Sequence, residues 1–343
     1  MKQLLTFFKK AFPWLVAAAI FAWLFHRYPP ANIYNAMKYV NIPLFFTVAV
    51  LYFFVMFVID TFSISLVLSR FGNPEGVREL LPARGATYLF MIFNYAAAQA
   101  AFAFYQYRKH GIPISKMLGI FGIVVVVDLL LLATLAFSTT FLTSWPFEVA
   151  GMNIAQFVRI FTVAGVGGLV ALILVANAAA DLSFVKRLRK FKLVDLLATT
   201  GISDYAYVAF ARLPVHAFIM LGMYVAIWAF DAHVPFLKIL ANIPIIFFIG
   251  SLPITPGGLG TSNAALVELL KPFVEAPAIT AGGVSPGDLL FSFSLAWMFS
   301  NYVMKAATGS MCLRFVSREL FRPTPETSAP KAEEESVKIG GNI

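Results

Sequence analysis

Between Phe12 and Leu313 the chain is built mainly of long apolar runs separated by short polar connectors. The clearest are Ile42–Leu68, Met117–Phe141, Ile154–Ala176 and Leu213–Phe230, with Phe12–Phe25 and Asp288–Leu313 towards the two ends. A hydrocarbon core takes about 20 apolar residues of helix to cross. In lipid every backbone N–H and C=O must be satisfied within the protein, which leaves helices as the solution for runs of this kind. The runs therefore predict an all-α, polytopic membrane helix bundle. Composition agrees, with 60% hydrophobic and 13% charged residues where soluble domains have roughly half and a quarter. Lys2, Lys9 and Lys10 precede the first run, and Pro29-Pro30 follows it without a small-residue cleavage site, so it reads as an uncleaved first span.

The formal net charge of +9 does not point to nucleic acid, because the basic residues lie between apolar runs and not on one face. Membrane topology and anionic lipid head groups account for them. A lone cysteine, Cys312, excludes an intrachain disulfide and a cysteine metal cluster. The four histidines, His26, His110, His216 and His233, lack ligand spacing, so neither a metal site nor a cofactor is expected. Paired carboxylates, a nucleotide loop and a nucleophile motif are not visible in the sequence either. The expected role is thus transporter-like and non-enzymatic, the alternative being a membrane-embedded enzyme or accessory subunit of glycolipid or phospholipid biosynthesis.

One apolar region is interrupted. Ser251–Leu270 carries Pro253, Pro256, Gly257, Gly258 and Gly260, with Pro244 just upstream. Proline removes a donor and glycine admits positive φ, which predicts a helix–break–helix hairpin dipping into the membrane. Thr261, Ser262 and Asn263 are candidate caps for the second helix. Backbone N–H groups at its start, with Thr255, Thr261, Ser262 and Asn263 beside them, would suit a phosphate or other anionic head group. The plainer alternative is a tight turn between two crossing helices.

A second unusual segment, Ala86–Tyr105, sets Asn94 and Gln99 among alanines, a composition suited to close helix approach and interhelical hydrogen bonds. If it re-enters from the side that it left, the clusters at Arg70–Arg84, Arg108–Lys116 and Lys186–Lys192 fall on one face, and re-entry of the Pro-Gly-Gly hairpin from the other face brings Arg314, Arg318 and Arg322 there too. The positive-inside rule then predicts six spanning helices, two re-entrant hairpins inserted from opposite faces, and both termini in the cytoplasm of an inner (plasma) membrane protein. Opposed hairpins are the pattern of an inverted repeat with a midplane site. The membrane domain is expected over 1–321, with a disordered Pro-, Glu- and Ser-rich cytoplasmic tail over 322–343. Lys186–Lys192 is expected to anchor to anionic lipids.

Among ionisable groups inside the runs, Asp128 lies near mid-span, where a carboxylate costs about 2.5–3.5 kcal/mol on insertion scales. It is either a functional group or a protonated or paired structural one. Arg159, on the next antiparallel span, either reaches towards Asp128 or snorkels to the interface. Lys305, with Asn301 one turn before it, either snorkels or lines a path for a phosphate.

Leu252-Pro-Ile-Thr-Pro-Gly-Gly-Leu-Gly260 followed by Ala264-Ala265-Leu266 resembles the signature of the lysylphosphatidylglycerol synthase transmembrane-region, or flippase-like, family. Asn94, Arg108, Gly111-Ile112-Pro113 and Asp128 match a second part of its outline. The resemblance covers most of the chain to about Arg318 and implies handling of membrane lipids, anionic or lipid-linked, near lipid-biosynthesis enzymes. Where the family usually has glutamates, this chain has Asn263 after the Pro-Gly-Gly and Gln99 in the first hairpin, so charge chemistry at those positions is not implied. The soluble aminoacyl-transfer domain of two-domain members is not expected, and with it lysine transfer to lipid.

Overall fold

The computed structural model describes residues 2–142, 148–149, 152–178, 187, 199–251 and 254–320. Most of the Leu142–Asn153 connector, most of the Lys186–Lys192 cluster, Leu252-Pro253 and the tail from 321 lie outside the described residues.

Among the described residues the bundle is helical apart from a short antiparallel pairing, Glu148–Val149 with Met152–Asn153, and an isolated bridge between His233 and Glu275. In chain order the helices are α1 (Lys2–Arg27), α2 (Pro30–Met37), α3 (Ile42–Arg70), α4 (Val77–Met91), α5 (Tyr95–His110), α6 (Ile114–Thr139), α7 (Ile154–Ala178), α8 (Ile202–Ala229), α9 (Phe236–Ser251), α10 (Thr261–Leu270), α11 (Pro277–Thr280) and α12 (Pro286–Leu320). Among these, α1, α3, α6, α7, α8 and α12 run for 25 to 35 residues, about 38–53 Å of helix. Three of them, α3, α6 and α8, are long and apolar enough to cross a membrane. The short helices fall into two interrupted pairs, α4–α5 and α9–α10.

Local chemistry sets the ends. Asn41 caps α3 through its side-chain oxygen, which accepts from Leu44 N at 3.1 Å. Asn94 does the same for α5, accepting from Ala97 N at 3.2 Å. At α12, Ser285 Oγ accepts from Asp288 N at 3.1 Å while Asp288 Oδ2 accepts from Ser285 N at 3.3 Å, a reciprocal capping box. Asp288 also accepts from Asn32 Nδ2 at 3.2 Å, which ties α2 to the start of α12.

Two boundaries differ from the sequence expectation. The polar connector expected over Arg70–Arg84 is only residues 71–76, because α4 starts at Val77 and carries Arg84 into the interior, 3% exposed. The first interrupted pair accordingly spans 77–110, wider than the expected 86–105. The span expected to begin at Leu213 starts earlier, because α8 runs from Ile202 through Pro214. Both shifts share a cause: arginines that look like connector charges are paired inside the bundle, so the helices need not stop at them.

Packing divides into two large apolar regions. One joins α1, α2, the start of α3, α8, α9, α10 and the start of α12, around Phe45, Phe230, Phe291 and Phe293. The other joins the end of α3 with α4, α5 and α6, around Leu80, Phe102, Met117 and Ile123. Along α8 the boundary between them falls between Ala211 and Val215. Close helix approach depends on missing side chains. A Cβ on Gly222 of α8 would collide with the Tyr52 ring of α3, and one on Gly309 of α12 would lie 3.0 Å from Leu89 N of α4.

Candidate functional site

A closed network of charges occupies the boundary between the two apolar regions. Arg212 of α8 grips Asp128 of α6 with both ends of its fork: Nε donates to Oδ1 at 2.8 Å and Nη2 to Oδ2 at 3.0 Å. Its third arm, Nη1, donates to Asp60 Oδ1 of α3 at 2.8 Å and reaches Ser63 Oγ at 3.4 Å. Asp60 Oδ2 accepts from Arg84 Nη2 of α4. His216, one turn after Arg212, brings Nε2 to 3.0 Å from Asp128 Oδ1. An ionised carboxylate only accepts, so Nε2 donates, while Nδ1 is buried with no hydrogen-bond partner among the described residues. Five ionisable side chains from four helices thus converge, with two carboxylates balancing two guanidiniums. At 1.5 Å per residue, Asp60 and Arg212 lie about 15 Å, and Asp128 about 21 Å, from the helix ends nearest the α3–α4 connector, which is mid-core depth.

The sequence singled out only Asp128 from this network. Asp60, Arg84, Arg212 and His216 were missed. The available signal was charge parity: two aspartates and two arginines at comparable depth. Of the two alternatives for Arg159, the reach towards Asp128 does not occur. Arg159 donates through Nε to Thr140 Oγ1 at 2.8 Å and through Nη2 to Thr140 O at 2.7 Å, with its guanidinium 4.1 Å from the Phe141 centroid. It clamps the α6–α7 end of the bundle, because the helix offset puts it near Thr140 and not near Asp128.

The interruption between α9 and α10 is built as the sequence suggested, with a 3-10 turn over Pro256–Gly258. Gly257, Gly258 and Gly260 all have positive φ, at 60°, 75° and 80°. A Cβ on Gly258 would lie 2.7 Å from the Gly250 carbonyl oxygen and 2.7 Å from Ser262 Oγ, whereas one on Gly257 would meet only the Tyr302 hydroxyl at 4.0 Å. Thr255 Oγ1 and Thr261 Oγ1 are 3.1 Å apart. Asn263 Oδ1 accepts from Gly260 N at 3.2 Å and its Nδ2 donates to Ser294 Oγ of α12 at 3.1 Å. Ser294 Oγ itself donates to Phe291 O, so it needs a donor on its other side. An amide meets both demands and a carboxylate cannot, a physical reason for asparagine at this position. The N–H groups of Gly258 and Leu259 are also taken locally, by Thr255 O and Pro256 O.

Between the two interruptions runs α12. Tyr302 faces Gly257 of the second pair, while Met304 packs with Phe53, Phe57, Tyr88 and Met91 beside the first. Lys305 lies between them, half-buried, its ammonium 5.8 Å from the Tyr302 centroid. Among the described residues it has no carboxylate within ion-pair distance. Asn301, a turn earlier, donates to Trp297 O at 2.9 Å and keeps its side-chain oxygen for other use. Of the other expected site residues, Asn94 is committed to capping α5, and Gln99 is buried with neither amide atom hydrogen-bonded among the described residues. The described residues hold no group of three or more His, Cys, Asp or Glu placed to bind a metal.

A family model described as the lysylphosphatidylglycerol synthase TM region matches residues 11–309. No curated protein and no solved structure matches.

Proposed function

Because the chain belongs to the lysylphosphatidylglycerol synthase TM-region family, a membrane-protein family tied to lipid handling, we propose that it moves the head group of an anionic or lipid-linked lipid across the inner membrane. Charge bookkeeping carries this reading. Arg84 and Arg212 are neutralised by Asp60 and Asp128, whereas Lys305 stands without a carboxylate among the described residues, between the two helix interruptions. An uncompensated ammonium at that depth attracts an anion, and a lipid phosphate is the anion abundant in its surroundings. Tyr302 and Asn301 stand near it on α12, and Thr255 with the Pro256–Asn263 segment, including Gly257, Gly258, Gly260, Thr261 and Ser262, adds hydroxyls and close backbone approach at the interruption that Tyr302 faces. The ends of α3 and α5 and the start of α6 carry Arg70, Arg108, Lys109 and Lys116, a basic bias that supports a cytoplasmic reading of that face. Enzymes that make the lipid would be natural neighbours there.

The test is movement of fluorescent phosphatidylglycerol and phosphatidylcholine between leaflets of proteoliposomes, read by dithionite quenching. The wild type should move the anionic probe. Lys305→Gln should slow it tenfold or more without changing the elution profile of the protein. No movement of any anionic or lipid-linked probe by the wild type, or equal rates for the two proteins, would sink the proposal.

A further inference from the structure

The last turns of α8 bring two aromatic rings to the far end of the bundle. Tyr224 and Trp228 are four residues apart, so they share one face of the helix, and both are exposed. The Tyr224 ring meets Phe236 at the start of α9 nearly at right angles, with centroids 5.4 Å apart. Past α8 the chain pairs with the segment after α10: His233 N donates to Glu275 O at 2.7 Å, and Glu275 N to His233 O at 2.8 Å. Two residues that exchange both bonds across an antiparallel bridge set their side chains beside each other. Together these parts enclose a cavity of about 220 Å³, lined by Tyr224, Trp228, Glu275 and residues 232–235. Trp228 is about 24 Å along α8 from Arg212, so the cavity lies well away from the charge network, at the head-group level where tryptophan and tyrosine collect.

The chain as a whole is formally +9, yet the charge around this cavity is negative. Among the described residues neither Glu275 nor Asp231, two residues before His233, has a Lys, Arg or His within ion-pair distance. The nearby cations are engaged elsewhere. Lys271 pairs with Glu268, and the Lys238 ammonium lies 4.6 Å from the Phe273 centroid. A belt of interfacial aromatics supplies rings alone. Rings beside a carboxylate without a counterion suit a substituted ammonium, whose alkyl surface packs on the ring faces while its charge faces the carboxylate. We propose that this cavity binds a substituted ammonium group, of the kind carried by choline and by zwitterionic lipids, through Tyr224, Trp228 and Glu275. The site is separate from Lys305 and both helix interruptions, and it does not rest on the transport reading above. Its preference is the opposite of theirs: a phosphate alone meets an uncompensated carboxylate here and is turned away.

The experiment titrates the full-length protein in detergent micelles at pH 8, above the range in which imidazole ordinarily charges, and follows tryptophan emission. The probes are dihexanoyl phosphatidylcholine, dihexanoyl phosphatidylglycerol and choline chloride, the last against matched sodium chloride. Phosphatidylcholine and choline should each give a saturable change that phosphatidylglycerol does not. That change should vanish in Trp228→Phe, which removes the reporting indole. Glu275→Gln, which keeps the main-chain bridge to His233, should weaken both responses at least tenfold with an unchanged thermal midpoint. Binding of phosphatidylcholine at least tenfold tighter than choline assigns the ammonium to a lipid, and a smaller ratio assigns it to a free amine. No saturable change with either choline probe, a change that persists in Trp228→Phe, an equal response to phosphatidylglycerol, or full affinity in Glu275→Gln would overturn the site.

Discussion

Arg212 is the residue on which the interior depends. It is 5% exposed and holds two aspartates from two different helices. Breaking such a pair from one side leaves a buried charge without compensation, at about 3–5 kcal/mol, more than the pair itself contributes over an apolar replacement. Arg212→Met should therefore lower the thermal midpoint in detergent sharply or prevent accumulation. Adding Asp128→Asn should recover part of the loss, and equal stability of single and double variants would show that the two side chains are not coupled. The exposed Arg70–Asp204 pair makes a useful contrast, since surface pairs contribute about 0–1 kcal/mol. None of this pairing was legible from Asp60, Arg84 or Arg212 singly. A lone charge beside an apolar run reads as a topogenic or snorkelling residue, and only the fold reveals that four such charges meet. Asn263 was more readable, because its position after the Pro-Gly-Gly already set it apart; its two hydrogen bonds, accepted from Gly260 N and donated to Ser294 Oγ, required coordinates.

At the scale of elements, the α9–α10 interruption separates two effects that glycine can have. Gly257 and Gly258 both have positive φ, which costs an L residue roughly 1–2 kcal/mol. Gly258 alone is also hemmed in by the Gly250 carbonyl. Gly257→Ala should thus cost about that backbone penalty. Gly258→Ala should cost clearly more and shift α10 against α9. Matched thermal denaturation curves measure the difference, and identical midpoints would refute the close-approach role. Pro256 and the three glycines made this interruption legible from sequence, whereas the first was inferred from the bias of Lys and Arg between the runs, and the capping role of Asn94 was not foreseen. The α4 and α8 starts were not legible, because Arg84 and Arg212 look like connector residues until their partners are known. Pro214 also marks no boundary: it sits inside α8, where neighbouring helices tolerate the lost hydrogen bond.

For the whole molecule, the two interrupted pairs begin at opposite ends of the bundle, α4 after the α3 connector and α9 after the far end of α8. With Cys312 replaced by alanine, Arg78→Cys and Thr280→Cys report those two ends. A membrane-impermeant maleimide should label Thr280→Cys in intact cells and Arg78→Cys only after permeabilisation; labelling of both from the same side would discard the opposed arrangement.

The charge network also imposes an order on biosynthesis. Asp60 leaves the ribosome shortly before Arg84, so this first pair can close early. Asp128 must wait for Arg212, which is 84 residues later in the chain. At about 5–20 residues per second that is about 4–17 s during which a helix bearing an uncompensated carboxylate has been made and its counterion has not. During that interval α6 needs shelter from bulk lipid, against the nascent α3–α5 unit or the insertion machinery. A chain arrested between these residues would be a natural target for membrane quality control.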